Sequence, residues 1–373
     1  MMCHLPLDPT LGGAKVYIEN AAAMRELGVT VDLIGPETYA TEVLIYKDEN
    51  YRIEAFAPLI KNYIQTNGSS YDVIEYENTY LPYKRSEIEY NGILVCRSVL
   101  LVNHFDKLRL PTNSFKAKLK NIYYSLTGKV PYQRRQELSL ICLNHADIIN
   151  VPNNLDREKI ISLGVDPEKI ITAPYGYFSE KLNSMPLLDN FNSKEVSFIG
   201  SFDPRKGSIE FPKIISKVVE MNPEVIFNLL GCKGRHTSEE QILSLFPKSI
   251  HKNINIKMHF DPAELCDLLK KTSIGIFPSH LESFGFGLLE LMLRGIPTVG
   301  YDVPGPSDLL IADLKTKRGD WQAIVERICR LISDQSFYHN CRLTSIQHIR
   351  EFSWRNSAEL QLNSYTKYKE NFK

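Results

Sequence analysis

Short apolar runs alternate with longer helical patterns along most of this chain. Parallel strands need crossover connections, which helices usually supply, so the alternation predicts an α/β fold with parallel sheets. The apolar runs predict strands at residues 31–34, 73–76, 93–96, 148–151, 196–199, 225–230, 254–259, 274–278 and 298–301. The helical patterns predict helices at residues 16–27, 136–145, 155–163, 207–221, 262–271, 288–294 and 321–333.

The length of 373 residues exceeds the roughly 250–300 residues at which a single hydrophobic core stops growing, so we expect two domains. The boundary is predicted within residues 172–188, because an Ala-Pro-Tyr-Gly sequence at 173–176 interrupts the pattern before a new series of strands. The predicted domains are residues 1–175 and 176–350, followed by a C-terminal segment, 351–373. Only five residues precede Pro6, so the first strand looks short. For this reason the position at which the natural chain starts is left open.

Composition argues against several classes of partner and compartment. The 44 basic residues balance the 44 acidic residues, so net charge gives no support for nucleic acid as a partner. The seven cysteines are scattered without CxxC or Cys/His spacing, which indicates reduced thiols and neither a disulfide framework nor structural zinc. Neither a membrane-spanning apolar stretch nor a signal peptide is evident in the sequence. We therefore expect a cytoplasmic protein.

The segment at residues 273–297 carries the most informative motif. It is predicted to form a strand, a loop, a helix and a turn, with glycines where the loop enters the helix. Glycine lets a ligand approach the backbone, and the amides and dipole of a helix start favour an anion such as a diphosphate. In open α/β sheets, ligands bind beyond the C-terminal ends of strands, where this loop lies. The expected anion-binding backbone comprises Phe284, Gly285, Phe286, Gly287 and Leu288.

Two glutamates flank this glycine loop. Glu290 lies in a strongly apolar helix, where burying a carboxylate is costly unless donors such as ribose hydroxyls satisfy it. Glu282 precedes the helix, so we expect it to face the other side of the phosphates and to hold sugar hydroxyls. Each feature has an alternative when taken alone, because junction glycines are often structural and a helical glutamate is often a solvated ion-pair partner.

The whole string Glu282-Ser-Phe-Gly-Phe-Gly-Leu-Leu-Glu290 resembles the E-x-F-G-x-x-x-x-E signature of retaining glycosyltransferases of family 4, the glycosyl transferases group 1. That family includes sucrose and glycogen synthases and bacterial mannosyltransferases. The resemblance spans most of the chain and is strongest over residues 196–310. It implies the GT-B fold, in which two Rossmann-like, doubly wound α/β domains face each other across a cleft. The first domain would bind the acceptor and the second the nucleotide-sugar.

A second motif implies the side chains that bind the donor phosphates. Residues 198–207 resemble the family segment G-R-x-x-x-x-K-G, which places an arginine and a lysine on those phosphates. Lys206 matches the lysine, whereas Ser201 stands at the arginine position, which leaves open whether Arg205 supplies the second charge. The resemblance therefore implies catalytic roles for Glu282, Lys206 and Arg205.

The first domain carries looser matches. Gly12 and Gly13 resemble the family's glycine loop, which would reach the donor phosphates across the cleft, and a plain tight turn is the alternative. Where family members often carry a sugar-contacting histidine, this chain has Arg97, and the nearest histidine is His104, so both are assigned as candidate acceptor or sugar contacts. The Phe-Ser-Trp sequence at 352–354 resembles the start of the C-terminal helix that crosses back onto the first domain.

The resemblance implies that a sugar is transferred with retention from a UDP- or GDP-sugar to a glycan or lipid-linked glycan, as in polysaccharide biosynthesis. Protein cations and amides would stabilise the leaving diphosphate, so no cofactor or metal is expected. Two alternatives share the architecture: a sugar-nucleotide epimerase or phosphorylase, and a non-catalytic sugar-nucleotide-binding module. A nicotinamide dehydrogenase is disfavoured, because no GxGxxG follows the first predicted strand.

Residues 107–136 contain eight basic residues and no acidic residue, interleaved with apolar and aromatic side chains. Such a segment suits anionic lipid headgroups, which would place the protein peripherally at the inner face of a membrane. A solvated helix face is the alternative. The basic residues are Lys107, Arg109, Lys116, Lys118, Lys120, Lys129, Arg134 and Arg135.

Overall fold

The structure is a computed structural model that describes residues 1–46, 49–106, 119, 122, 132–178 and 186–371. It divides into two compact units. The first is built from residues 1–46, 49–106, 132–178 and 352–371, and the second from residues 119, 122 and 186–351. Within the described part of the chain, no helix is both long enough and apolar enough to cross a membrane.

The first unit contains a parallel four-stranded sheet in the order β1-β2-β3-β4. Its strands are β1 (Val73–Glu77), β2 (Ile93–Arg97), β3 (Ile148–Val151) and β4 (Ile170–Thr172). The sequence predicts the first three but misses β4, which is too short to form a clear pattern. The prediction of a strand at 31–34 is wrong. Only Asp32 and Ile34 of this segment form backbone hydrogen bonds with residues 1–3, and Ile34 makes an isolated β-bridge there instead of a strand.

The helices of the first unit include one that the sequence prediction missed. Pro58 interrupts its pattern and cannot donate a helical hydrogen bond, yet the helix continues through it from Glu49 to Asn67. It forms because Ile53, Phe56, Ile60 and Ile64 lie at helical spacing and are all buried. The helices of this unit include Gly12–Glu26, Glu42–Ile45, Glu49–Asn67, Gln133–His145, Asn154–Ser162 and Trp354–Asn371.

A buried polar network attaches the C-terminal helix (Trp354–Asn371) to the first sheet. Arg97 Nε and Nη2 donate to the two carboxylate oxygens of Glu75 at 2.7 and 2.8 Å. Arg97 Nη2 also donates to Gln361 Oε1 at 2.6 Å, and the Gln361 and Asn20 amides exchange hydrogen bonds. Burial disfavours the charged guanidinium, but the Glu75 carboxylate outweighs it and holds the pKa of Arg97 above its usual value. The C-terminal helix is thus joined to the first sheet through the hydrogen bond of Gln361 to the buried Arg97–Glu75 pair.

The second unit contains a parallel six-stranded sheet. Its strands are β5 (Glu195–Ile199), β6 (Ile226–Leu230), β7 (Ile254–Lys257), β8 (Thr272–Phe277), β9 (Thr298–Tyr301) and β10 (Lys315–Thr316). Their order in the sheet is β10-β9-β8-β5-β6-β7. The sequence predicts each of these strands except β10, which has only two residues.

The helices of the second unit follow their apolar patterns. The helix Trp321–Ser333 coincides with its prediction, because one face is buried and the Asp320 side chain caps its first turn by accepting from the Ala323 amide. The helix predicted from residue 207 begins only at Phe211, since Gly207 has a left-handed φ of 90°. The helices here include Phe211–Met221, Glu239–Leu243, Leu265–Leu269, Phe286–Leu293, Pro306–Leu309, Trp321–Ser333 and Gln335–Ile349.

Replacing Glu75 with Ala leaves the Arg97 guanidinium buried without its carboxylate. Removing one partner of a buried ion pair costs about 3–5 kcal/mol, so we expect Glu75→Ala to lower the free energy of unfolding by about that amount. Urea denaturation followed by circular dichroism measures the change. Glu54→Ala is the control, because the exposed Glu54–Arg134 pair should contribute about 1 kcal/mol or less. Equal costs for the two variants would contradict the stabilising role of the buried network.

Candidate functional site

Two neighbouring strands of the second sheet carry loops from distant parts of the sequence. Because β5 lies between β6 and β8, the chain leaves β5 towards one edge of the sheet and leaves β8 towards the other. Such a reversal of direction opens a crevice beyond the C-terminal ends of the two strands, where open α/β sheets bind ligands. The loops at residues 200–207 and 278–285 lie at this position.

The loop after β5 holds Arg205 and Lys206 in a fixed turn. Asp203 Oδ1 accepts hydrogen bonds from the amides of Arg205 at 2.9 Å and Lys206 at 3.3 Å. Gly207 ends the turn in a left-handed conformation with a φ of 90°. A Cβ at Gly207 would lie 2.5 Å from the carbonyl oxygen of Pro278, so glycine is required where this loop meets the loop after β8.

The predicted catalytic residues Glu282, Lys206 and Arg205 meet between these loops. Lys206 Nζ forms an ion pair with Glu282 Oε1, and Arg205 Nη1 lies 3.8 Å from Glu282 Oε2. The backbone also joins the loops, since the His280 amide donates to the Arg205 carbonyl at 2.7 Å. The Glu282 side chain is 7% exposed, whereas those of Lys206 and Arg205 are 15% and 31% exposed. One buried carboxylate therefore aligns two cations that solvent can still reach.

The signature helix (Phe286–Leu293) begins directly after Gly285, which has a left-handed φ of 101°. A Cβ on Gly287 would lie 2.4 Å from the carbonyl oxygen of Ile199, so glycine lets the helix begin against the end of β5. The predicted anion-binding backbone, residues 284–288, thus lies at a helix start, where amides and the positive end of the dipole are concentrated. Anion binding there remains a prediction.

Glu290 lies one turn further along the signature helix. Its neighbours Leu289 and Leu291 are buried, and Glu290 itself is half-buried. The structure therefore places Glu290 at the margin of the apolar core. Its assignment to ribose hydroxyls remains a prediction.

A buried histidine–glutamate pair lies near the loops after β5 and β8, and the sequence analysis did not predict it. His280 Nε2 lies 2.7 Å from Glu210 Oε2, with the two side chains 5% and 7% exposed. The Tyr301 ring lies 5.3 Å from the His280 ring, and burial together with the Glu210 carboxylate raises the pKa of Tyr301. The pair anchors the loop that carries Glu282. No local pattern could have revealed it, because the partners are 70 residues apart.

The remaining predicted site residues lie in the first unit. Gly12 is the first residue of its helix, and Gly13 packs so closely that a Cβ would meet a neighbouring side chain at 2.8 Å. Arg97 belongs to the buried network described above, with its side chain 1% exposed. His104 Nε2 lies 2.8 Å from Asp156 Oδ1. Roles for these four residues in binding donor or acceptor remain predictions.

The basic segment at 107–136 falls largely outside the described residues. Of its eight basic residues, the structure describes Arg134 and Arg135. Arg134 forms exposed ion pairs with Glu54 at 3.3 Å and Glu137 at 3.8 Å. Membrane contact by this segment stays a prediction from the sequence.

Sequence comparison relates this chain to glycosyltransferases. Residues 185–348 match the family model of glycosyl transferases group 1. The chain is 24% identical to D-inositol 3-phosphate glycosyltransferase from Corynebacterium urealyticum in an alignment that covers 95% of this chain and 90% of that protein. It is also 28% identical over 136 residues to sucrose-phosphate synthase 1 from Arabidopsis thaliana, covering 34% of this chain. The chain spans only 13% of the length of that synthase.

Structural comparison gives the fold class. The crystal structure of HepE from Anabaena in complex with UDP superposes with a TM-score of 0.66 at 16% identity, covering 97% of this chain and 98% of HepE. This likeness over nearly the whole chain, together with the two parallel sheets, confirms the predicted fold class of two Rossmann-like α/β units. The family match in the second unit and the curated relatives support a glycosyltransferase enzyme.

The tight contact at Gly207 gives a stability prediction. Both Gly207 and Gly319 have left-handed φ angles, of 90° and 85°, but a Cβ on Gly319 would have no atom within 4 Å. We expect Gly319→Ala to cost about 1 kcal/mol through backbone strain alone. Gly207→Ala should cost about 1–3 kcal/mol more, because its methyl group would overlap the Pro278 carbonyl. Chemical denaturation of both variants measures the difference, and equal costs would show that the loops do not meet as closely as described.

Proposed function

We propose that this chain, whose second unit carries a glycosyl transferases group 1 domain, is a retaining glycosyltransferase that uses a UDP- or GDP-sugar donor. The observation that carries the proposal is the contact of Lys206 and Arg205 with Glu282 at the point where the sheet reverses direction. This position is where open α/β sheets bind nucleotides. A structural neighbour crystallised with UDP adds support for a nucleotide donor.

The chemistry requires stabilisation of the departing nucleotide diphosphate. As the bond to the sugar breaks, negative charge grows on the diphosphate, and preorganised cations nearby lower the barrier because they need no rearrangement. Lys206 and Arg205 are held by the Asp203 cap and by Glu282, so they meet this requirement. The amides at the start of the signature helix would add to the same stabilisation. We assign this neutralisation to the protein's own groups rather than to a metal or another cofactor.

The two glutamates would orient the rest of the donor. Glu282 lies beside both cations, so it would accept hydrogen bonds from sugar hydroxyls close to the breaking bond. Glu290 lies one turn into the signature helix, where it would accept from the ribose hydroxyls. The sugar would then leave through an oxocarbenium-like transition state on the face that the acceptor attacks, which retains the anomeric configuration. A glycan or lipid-linked glycan is the proposed acceptor.

A donor screen tests this function. UDP-, GDP- and ADP-sugars are added singly to the full chain, and the melting temperature is measured, because a ligand that binds the native state raises it. The donor that raises it most is then incubated with glycan and lipid-linked acceptors, and the product linkage is determined by NMR. Retained configuration supports the proposal. Absence of binding by all donors, or consumption of donor without any acceptor, would argue against it.

Lys206 allows a sharper prediction. We expect Lys206→Ala to lower kcat about 10²–10³-fold, as found for removal of one preorganised group that stabilises transition-state charge. Lys213→Ala is the matched control, because Lys213 is exposed on the adjacent helix Phe211–Met221. Steady-state kinetics with the identified donor measures both. Near-normal turnover of Lys206→Ala would remove this residue from the phosphate site.

We further propose that the basic segment 107–136 holds the protein at an anionic membrane. Each Lys or Arg near such a surface contributes about 1 kcal/mol, and added salt should weaken the attraction. We expect the wild type to sediment with phosphatidylserine-containing vesicles at low salt, and a variant with Lys116, Lys118 and Lys120 changed to Glu to remain in the supernatant. Wild-type protein that stays in the supernatant would indicate a solvated segment and favour a soluble acceptor.

A further inference from the structure

The charges around Glu282 do not by themselves favour a polyanion. Arg205 and Lys206 contribute two positive charges, and the carboxylates of Asp203 and Glu282, both in contact with that turn, contribute two negative charges. A nucleoside diphosphate carries several negative charges, whereas the net charge of these four side chains is zero. The helix start adds only about half a positive charge. A donor site at this position therefore needs another cation nearby.

The loop after β6 lies beside the start of the loop that carries Asp203, Arg205 and Lys206. Because β6 pairs with β5, the two loops leave adjacent strands, and the Phe202 amide donates to the Cys232 carbonyl at 3.2 Å. A Cβ on Gly234 would lie 3.4 Å from Ser201 Cβ, and the rings of His236 and Phe202 have centroids 6.0 Å apart. Residues 232–236 thus run alongside the start of the loop that carries Arg205 and Lys206.

Arg235 lies in sequence between Gly234 and His236, the two residues of this loop that approach Ser201 and Phe202, and it is exposed. A guanidinium can bind a phosphate through two parallel hydrogen bonds, which suits it to a diphosphate. We propose that Arg235 binds the diphosphate of the donor together with Lys206. This inference rests on the proposed function, because it assigns a further residue to the same donor site.

Two other basic residues do not supply this further cation, since Arg205 is already counted in the cluster and Lys233 is bonded to another segment. Arg205 Nη1 already donates to the Leu281 carbonyl at 3.3 Å and lies 3.8 Å from Glu282, so its position is set by the loop after β8. The Lys233 amide donates to the Met258 carbonyl at 2.9 Å, so that residue is attached to the segment after β7. Lys233 shares the exposure, charge and loop of Arg235 and is therefore its matched control.

Calorimetric titration of the full chain with UDP, GDP and ADP tests the assignment. We expect Arg235→Ala and Arg235→Gln to weaken binding of the preferred diphosphate about tenfold or more, as for loss of a charge-assisted hydrogen bond. Lys233→Ala should change it less than about threefold, and Arg235→Lys should recover part of the loss. Binding of the matching nucleoside, which has no phosphate, should not respond to Arg235→Ala. Melting temperatures close to that of the wild type would establish that the exposed substitutions leave the fold intact.

The outcomes separate this inference from the proposed function. If the wild type binds a diphosphate and both Arg235 variants bind it equally well, the assignment of Arg235 is overturned and the donor site stands. If Lys233→Ala weakens binding as much as Arg235→Ala, the loop acts through general charge, and the assignment is again overturned. If the wild type binds none of the three diphosphates, the donor site fails and the assignment of Arg235 fails with it.

Discussion

The parallel pairing of β5 with β8 is the constraint on which the second unit depends. These strands are joined by backbone hydrogen bonds and by a buried contact of 2.7 Å between the hydroxyls of Ser197 and Thr272. The pairing decides that the loops after these two strands share one crevice. Lys206 and Glu282 come from different loops, and their ion pair exists only because the two strands are neighbours. The backbone pairing thus fixes the geometry that the chemistry would use.

Buried charge serves a different purpose in each unit. In the first, Arg97 is 1% exposed, its charge is paired with Glu75 of the neighbouring strand, and it also donates to Gln361 of the C-terminal helix. In the second, Glu282 is buried but its cationic partners remain 15% and 31% exposed. Desolvating an ion pair is costly unless further hydrogen bonds satisfy it. A pair left open to solvent can exchange part of its interaction for a bound anion, whereas the enclosed pair cannot.

Glycine sets how closely the site loops approach one another. Gly207 packs against the Pro278 carbonyl and Gly287 against the Ile199 carbonyl. A Cβ atom on either glycine would overlap that carbonyl oxygen, at 2.5 Å for Gly207 and 2.4 Å for Gly287. A larger residue at either position would push a loop or the signature helix away from the strand ends. The same contacts that pack the unit therefore keep the cations, the glutamate and the helix start within one small region. Glycine packing thus fixes the positions of the charged groups that the proposed chemistry would use.

The sequence by itself determined the elements with strong periodicity, because local spacing suffices to define an apolar face. The strands at 148–151 and 298–301 and the helix at 321–333 have their predicted bounds. Glu282, Lys206 and Arg205 were named as site residues from a family resemblance, and it is the strand order that brings them together. The local pattern wrongly predicted a strand at 31–34, because strand formation there depends on the partner segment. It also missed the helix that contains Pro58, because the burial of its isoleucines outweighs the unfavourable proline. Only the tertiary structure decided that His280 meets Glu210, that Arg97 is enclosed, and that Arg235 lies beside the Ser201 loop, because strand order joins segments that local spacing cannot relate.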